Sequence, residues 1–358
     1  MINPEVAETP RRRAKGILLY GMYDITIQDR APKIRIGLMT EALARRAHTE
    51  RITGGRAGRF LAAGRWLASG GPRRVGGVYV ETSTASAMPT DLLFLAIMRL
   101  LHRPVGVFFR DAYQLFRDIH PRLRRRQVIS DWLWRISLPL LRRVASVRFA
   151  PSPGMAAALG ISDPVMLPPG TDPTLPDLGI GDPDVVATVA QLTPGSGVDV
   201  LLAAMELVRR RRPAATLKIV ARGVDAATEA TLPDWVRVTP GNRAALPDLL
   251  RPARLIVLPL PVNDYTRIEA AVRLPDLIGY GKPMVVTDTP VQRALIEVSN
   301  GGVVTPDTAA GLAEGILAIL QDEALARRLA AGARAYACSP GATWDARAAT
   351  VIESLGLD

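Results

Sequence analysis

The sequence predicts an α/β protein built from two Rossmann-like domains facing a cleft. Three observations carry this. Apolar runs of strand length alternate with helical stretches along most of the chain, the pattern of parallel βαβ units whose sheet is covered on both faces. The alternation breaks once, at the proline-, glycine- and aspartate-dense segment VMLPPGTDPTLPDLGIGDPD (residues 165–184), and then restarts. The chain has 358 residues, of which 48% are hydrophobic, enough for two cores.

In the first half (residues 1–168), GILLYG reads as a buried strand ended by Gly21, and residues 32–47 as a helix. VGGVYVE follows as a strand ending at Glu81, DLLFLAIMRLL as a helix, and PVGVFFRD as a strand ending at Arg110 and Asp111. A long basic helical region, the strand SVRFAPS and the short helix GMAAALGI complete it. In the second half (residues 169–339, linker included), DVVATVAQL reads as a strand and GVDVLLAAMELVRRRR as a helix with apolar residues at three-to-four spacing. TLKIVARG, WVRVTPG, RLIVLPLP and PMVVTDTP read as four further strands with helices between them. After a Ser-Pro-Gly break, residues 340–358 carry a last helix, TWDARAATVIESLG, set apart from the domain it follows.

Composition narrows the function. The single cysteine, Cys338, excludes an internal disulfide and a cysteine metal cluster, and points to a reducing, cytoplasmic compartment. The N-terminal segment MINPEVAETPRRRAKG lacks the apolar core of a leader, and no run approaches the roughly 18 apolar residues of a membrane span. His48, His102 and His120 show no metal spacing with one another or with an acid, so no metal site is expected. The net charge of +11 is uneven. Residues 1–168 hold 27 Lys and Arg against 12 Asp and Glu, and the remainder 18 against 22. An excess confined to one half suggests an anionic partner for that half, beside the plainer reading of a solvated basic face.

The segment RLPDLIGYGKPMVVTD (residues 273–288) is the most informative. Pro275 suits the first turn of a helix, Asp276 is favoured there by the helix dipole, and Gly281 with Pro283 ends the helix before a buried strand. Arg273 and Asp276 therefore lie at a helix start at the mouth of the sheet. A phosphate binds there readily and a carboxylate can hold ribose hydroxyls. An ordinary helix cap is the alternative on spacing alone.

This segment resembles the donor-binding signature of family-four (group 1) retaining glycosyltransferases, which have the two-domain GT-B architecture. Arg273, Asp276, Gly281, Pro283, Thr287 and Asp288 match its frame. FAPSPGMAAALGI with VMLPPGTDP, VAQLTPGSGVDVLLAAMELVRRRRPAATLKIV, and TWDARA match three further segments in the family's order, together about two-thirds of the chain. The resemblance implies a glycosyltransferase that moves a sugar from a nucleotide diphosphate sugar to an acceptor hydroxyl, with retention and without cofactor or metal. It implies an N-terminal acceptor domain, a C-terminal donor domain, and a closing helix that crosses back onto the first domain. Asp276 inherits the family's ribose-binding acid, in a shortened form. Where the family carries an arginine and a lysine for the donor diphosphate, this chain has Gln191 and Ser196. Backbone N–H groups at Gly195, Ser196 and Gly197 remain at a helix start, and Arg222, Arg267 and Arg273 are candidates for the missing charge. The family's first acid falls on Ile268, with Glu269 one position away.

In the first domain, Glu81, Arg110 and Asp111 end strands at the expected cleft and point toward the acceptor. The family-like reading makes Asp111 an acceptor-site or base-like residue beside Arg110. A strand-end salt bridge is the alternative. The early loop DITIQDRAPKIRIG resembles the family's first substrate loop, where Lys33 and Arg35 either reach phosphate or are solvated. From Phe116 to Phe149 nine arginines face two aspartates, with Trp132 and Trp134 inside. Apolar residues recur there at helical spacing, interrupted by Pro139, which is expected to kink or split the helix. Such a stretch reads either as a core helix with a solvated basic face or as a helix lying on an anionic membrane surface. No nucleic-acid motif appears. The resemblance favours a glycan or lipid-linked acceptor at the inner face of the cell membrane. The alternatives are a non-catalytic GT-B binding subunit and a nucleotide-sugar epimerase of the same fold.

Overall fold

The first apolar run forms β1 (Ala14–Gly21) inside a six-stranded parallel sheet of order β2-β1-β3-β4-β5-β6. The computed structural model describes residues 14–26, 30–120, 125–193, 195–223 and 226–358. The leader-free reading of residues 1–13 and parts of the early loop (27–29) and of the basic stretch (121–124) lie outside the described residues. After β1 come α1 (Ala31–Arg46), β2 (Ala47–Thr53), α2 (Arg56–Ala68), the single-turn α3 (Gly71–Arg74) and β3 (Gly77–Glu81). Then follow α4 (Pro89–Leu100), β4 (Val105–Phe108), α5 (Arg125–Val144), β5 (Val147–Ala150), α6 (Pro153–Ala158) and β6 (Val165–Met166).

The second sheet has the order β12-β11-β10-β7-β8-β9, again all parallel. Its elements are β7 (Asp182–Val189), α7 (Val198–Arg211), β8 (Thr216–Ala221), α8 (Ala226–Ala230), β9 (Val236–Pro240), α9 (Leu246–Leu250) and β10 (Ala253–Leu258). They continue as α10 (Arg273–Ile278), β11 (Met284–Thr287), α11 (Pro290–Ser299), β12 (Gly302–Thr305), α12 (Ala309–Gln321) and α13 (Glu323–Cys338), before the last helix α14 (Trp344–Ser354). Both sheets reverse direction of winding once, at β1/β3 and at β7/β10, and ligands of such folds bind outside the carboxyl ends of the strands there.

Three readings need correction. The sequence passes from α1 straight to VGGVYVE, whereas the chain inserts β2, α2 and α3. β2 (AHTERIT) is an edge strand with only part of its residues buried, so it carries no apolar run. β12, the opposite kind of omission, is a four-residue edge strand too short to register. Helix α5 runs unbroken through Pro139. Trp134 before the proline and Leu141 after it are both buried in one core, and this holds the two segments in line.

Each sheet is sandwiched. One face of the first is covered by α2, α4, α5 and α6, the other by α1 and α14. Trp344 of α14 is buried against the first sheet, and Arg45 of α1 pairs with Asp345 at 2.7 Å. The two crossings between domains run side by side. Thr171 N donates to Ala342 O (2.8 Å) and Trp344 N donates to Thr171 O (3.1 Å). A Cβ on Gly170 would stand 2.5 Å from Trp344 N, so the approach requires glycine.

Candidate active site between the domains

Strand register sets the first wall. Glu81 ends β3 level with Gly21 of β1 and Phe108 of β4. Its carboxylate is fully enclosed and accepts hydrogen bonds from Arg35 Nε (3.0 Å), Tyr79 Oη (2.7 Å) and Arg110 Nη2 (2.9 Å). Glu81 therefore does not reach an acceptor, contrary to expectation; it holds two arginines. Arg35 lies flat on Phe108, 3.7 Å from the ring centroid, and is buried rather than solvated. Arg35 Nη1 and Arg110 Nε are buried without a protein acceptor, and both residues line a cavity of about 170 Å³ between the domains. Lys33 lies in the first turn of α1, within electrostatic reach of Asp24.

Asp111 follows β4 and lines the same cavity. Thr84 Oγ1 donates to its Oδ2 at 2.7 Å, and Tyr23 Oη sits 2.7 Å from the same Thr84 hydroxyl. Burial raises the Asp111 carboxyl above its ordinary range, opposed by Arg110 and by the Thr84 hydrogen bond.

The facing wall comes from the loop between β10 and α10. Asn263 accepts from Tyr265 N and Thr266 N (3.0 and 2.9 Å), and Asp307 accepts from Val262 N (2.8 Å), which fixes the loop. Tyr265 stacks on Tyr113 of the first domain at 4.7 Å. Ser152, which caps α6 by accepting from Met155 N, donates its hydroxyl to Ile268 O at 2.5 Å. A Cβ on Gly154 would stand 2.6 Å from Ile268 Cγ2. The position at which the family carries its first acid is thus an interdomain packing residue here. The next residue, Glu269, turns into the cavity with Asp111 and Arg273. Sequence reasoning saw Glu269 only as one position out of frame. The signal available was the apolar Ile268 before it, which needs a packing partner.

Burial pushes the Glu269 carboxyl up to about 7; Arg273 opposes this and Asp111 adds to it. A carboxyl raised on folding contributes most to stability below its unfolded value, about 4.3, and that contribution is lost as pH rises through 7. Glu269→Gln should therefore gain stability relative to the native chain by about 1–2 kcal/mol between pH 5.5 and pH 8. Thermal denaturation at the two pH values reads this. Parallel curves would mean that Glu269 does not titrate in this window.

The expected donor side lies around the start of α7. Gly195 and Gly197 both have φ of +77°, and a Cβ on Gly197 would stand 1.5 Å from Pro259 O, next to the end of β10. The loop end thus lies directly on the second strand of the switch point, with Ser196 beside it and Gln191 just past β7. Arg273 Nη1 donates to Val189 O (2.7 Å) at the end of β7, and Arg222 stands close enough for the two charges to repel. Arg222 and Arg273 come together; Arg267 does not join them. It lines a larger, mainly apolar cavity of about 620 Å³, which adjoins the first along Glu269, Ala270 and Ala271, and acts electrostatically on Asp288. Asp276 is held by Arg243, which donates Nε to Oδ2 and Nη2 to Oδ1, both at 2.9 Å, and which also reaches Asp172 at 3.3 Å. Arg243 escaped sequence reasoning because 33 residues separate it from Asp276. Among the described residues no three His, Cys, Asp or Glu side chains cluster as a metal site would require.

Residues 183–322 match the family described as glycosyl transferases group 1. The second domain is a group 1 glycosyltransferase domain. The whole chain has the GT-B architecture of solved structures. HepE of Anabaena, in complex with UDP and glucose, superposes at a TM-score of 0.63 and 18% identity over 95% of this chain and 99% of that one. WaaG, a glycosyltransferase involved in lipopolysaccharide biosynthesis, gives 0.62 at 16% over 94% and 99%. A putative UDP-N-acetylglucosamine 2-epimerase of Listeria monocytogenes gives 0.54 at 11% over 94% of each chain. A search of curated proteins by sequence found no match. In the glycosyltransferase domain, the matched stretch contains the α7 start, Arg222, Arg243, Glu269, Arg273 and Asp276.

Proposed function

We propose that the protein transfers a sugar from a nucleotide diphosphate sugar to an acceptor hydroxyl, with retention of configuration and no cofactor. The observation that carries this is the cavity between the domains, where Arg273 and Glu269 of the glycosyltransferase domain face Arg110 and Asp111 of the other. Residues 169–339 hold the donor and residues 1–168 the acceptor, with residues 340–358 closing back on the first domain. Backbone N–H groups at Gly195 and Gly197 and the guanidinium groups of Arg222 and Arg273 take the diphosphate, where charge develops as the sugar leaves. The Ser196 N–H, expected to join them, instead donates to Thr193 O at 3.1 Å within the turn. Asp276 holds the ribose. Arg110 and Asp111 contact the transferred sugar and the incoming hydroxyl. HepE is described with UDP, which makes a uridine nucleotide the first donor to test. The acceptor is a glycan or lipid-linked hydroxyl at the inner, cytoplasmic face of the membrane, which agrees with the basic first domain. No described helix is long and apolar enough to cross a membrane.

A thermal-shift panel of nucleoside diphosphates tests the donor site, and transfer assays with the matching nucleotide sugars test turnover. Stabilisation by one nucleotide followed by transfer supports the reading. Stabilisation with no turnover identifies a binding subunit, and interconversion of the free nucleotide sugar without acceptor identifies an epimerase. Asp111→Asn is expected to lower kcat by roughly 10²–10³-fold while leaving the nucleotide shift unchanged. Loss of the shift together with kcat would place Asp111 in donor binding instead.

A further inference from the structure

Among the described residues, the exposed large apolar side chains lie in the first domain, Val298 apart. Most sit on three helices. Phe60 and Leu61 are on α2, Leu93 and Leu100 on α4, and Ile129, Trp132 and Ile136 are among six on α5. Trp132 is 62% exposed, whereas Trp134, two residues on, is 7% exposed in the core. The three helices cover the same face of the first sheet, with α4 in contact with both α2 and α5. Their outer sides therefore form one continuous surface, larger than the single basic helix the sequence pointed to.

The charge on that surface has one sign. α2, α4 and α5 contain two carboxylates, Asp91 and Asp131, and both are 2% exposed. Asp91 is taken by Arg59 in a two-pronged pair at 2.8 Å, inside the core. What remains exposed is arginine: Arg56 and Arg65 on α2, Arg99 on α4, and Arg125, Arg135 and Arg143 on α5. Helices of the second domain carry acids, either alone, as α12 does, or beside arginine, as α13 does with Glu323 paired to Arg327. Apolar groups this numerous on a surface need a cover. Arginine interleaved with tryptophan and aliphatic side chains, without exposed acid, fits the boundary between anionic headgroups and acyl chains.

We infer that the outer face of α2, α4 and α5 seats the protein on an anionic lipid bilayer. All three helices begin at the carboxyl edge of the first sheet. α5 follows the segment that carries Asp111 and Tyr113, so the rim of the cleft borders the seated face. A lipid-borne acceptor then reaches Asp111 along the surface. That last step rests on the proposed transfer reaction; the seating itself does not.

Flotation of the full chain with vesicles tests this, using phosphatidylglycerol mixed with phosphatidylcholine against phosphatidylcholine alone. Co-flotation with the anionic vesicles only, weakened by salt, is expected. Trp132→Glu with Ile136→Glu should reduce it at least about tenfold, and so should Phe60→Glu with Leu93→Glu on the other two helices. These side chains are exposed, so circular dichroism and the nucleotide-induced thermal shift should match the native chain. A lost shift alone would count against the transfer reading and leave the seating intact. Absence of flotation overturns the proposal, as does flotation unaffected by the α2 and α4 substitutions. So does a lipid-free dimer that the same substitutions return to monomer, since the face would then be a subunit contact.

Discussion

Gly197→Ala is expected to unfold roughly 6–12 °C below the native chain and to lose its stabilisation by nucleoside diphosphates. Two costs add. A side chain at φ of +77° is disfavoured by about 1–2 kcal/mol. The new Cβ would also stand 1.5 Å from Pro259 O, so α7 and the end of β10 must separate. Together these should exceed about 3 kcal/mol. Gly195→Ala is the internal control. It has the same φ of +77° but nothing within 4 Å of its Cβ, so only the backbone cost applies. Differential scanning calorimetry of both variants reads the difference. Equal losses would mean that the contact with Pro259 does not set the position of α7.

The second large effect concerns Asp276. Asp276→Asn is expected to weaken nucleoside diphosphate binding by about 10- to 100-fold, the range for losing charge-assisted hydrogen bonds. Arg243 already engages both carboxylate oxygens, yet a carboxylate has about four acceptor positions, so two remain for a ribose diol. The ribose reading is separable from simple pairing by calorimetric titration with UDP and 2′,3′-dideoxy-UDP. The native chain should prefer UDP by a similar factor, and Asp276→Asn should bind both alike. A variant that still discriminates would leave Asp276 as the partner of Arg243 and nothing more.

These expectations separate what a linear reading reaches from what it misses. Glycine-ended apolar runs such as GILLYG locate central strands. The proline-rich segment read as a linker over residues 165–184 contains β6 (Val165–Met166) and the start of β7 (Asp182), so that reading is too wide at both ends. A buried strand must be apolar along its length, and proline and glycine mark the stretch where the alternation breaks. Edge elements leave no such imprint: β2 is half solvated and β12 spans four residues. The site divides in the same way. The helix start at Arg273 and the glycine turn before α7 are local devices, readable from spacing. The enclosure of Glu81, the approach of Arg222 to Arg273 and the pairing of Arg243 with Asp276 join residues remote in sequence.

By itself the sequence determined two parallel α/β sheets with interleaved helices and the glycine-turned helix start of the second, because periodicity, turn chemistry and capping act within a few residues. Only the tertiary structure decided that Ile268 packs against Gly154 while Glu269 faces Asp111, and that three helices share one arginine-rich apolar face. Both depend on which elements become neighbours, and burial, pairing and surface continuity are properties of neighbours in space.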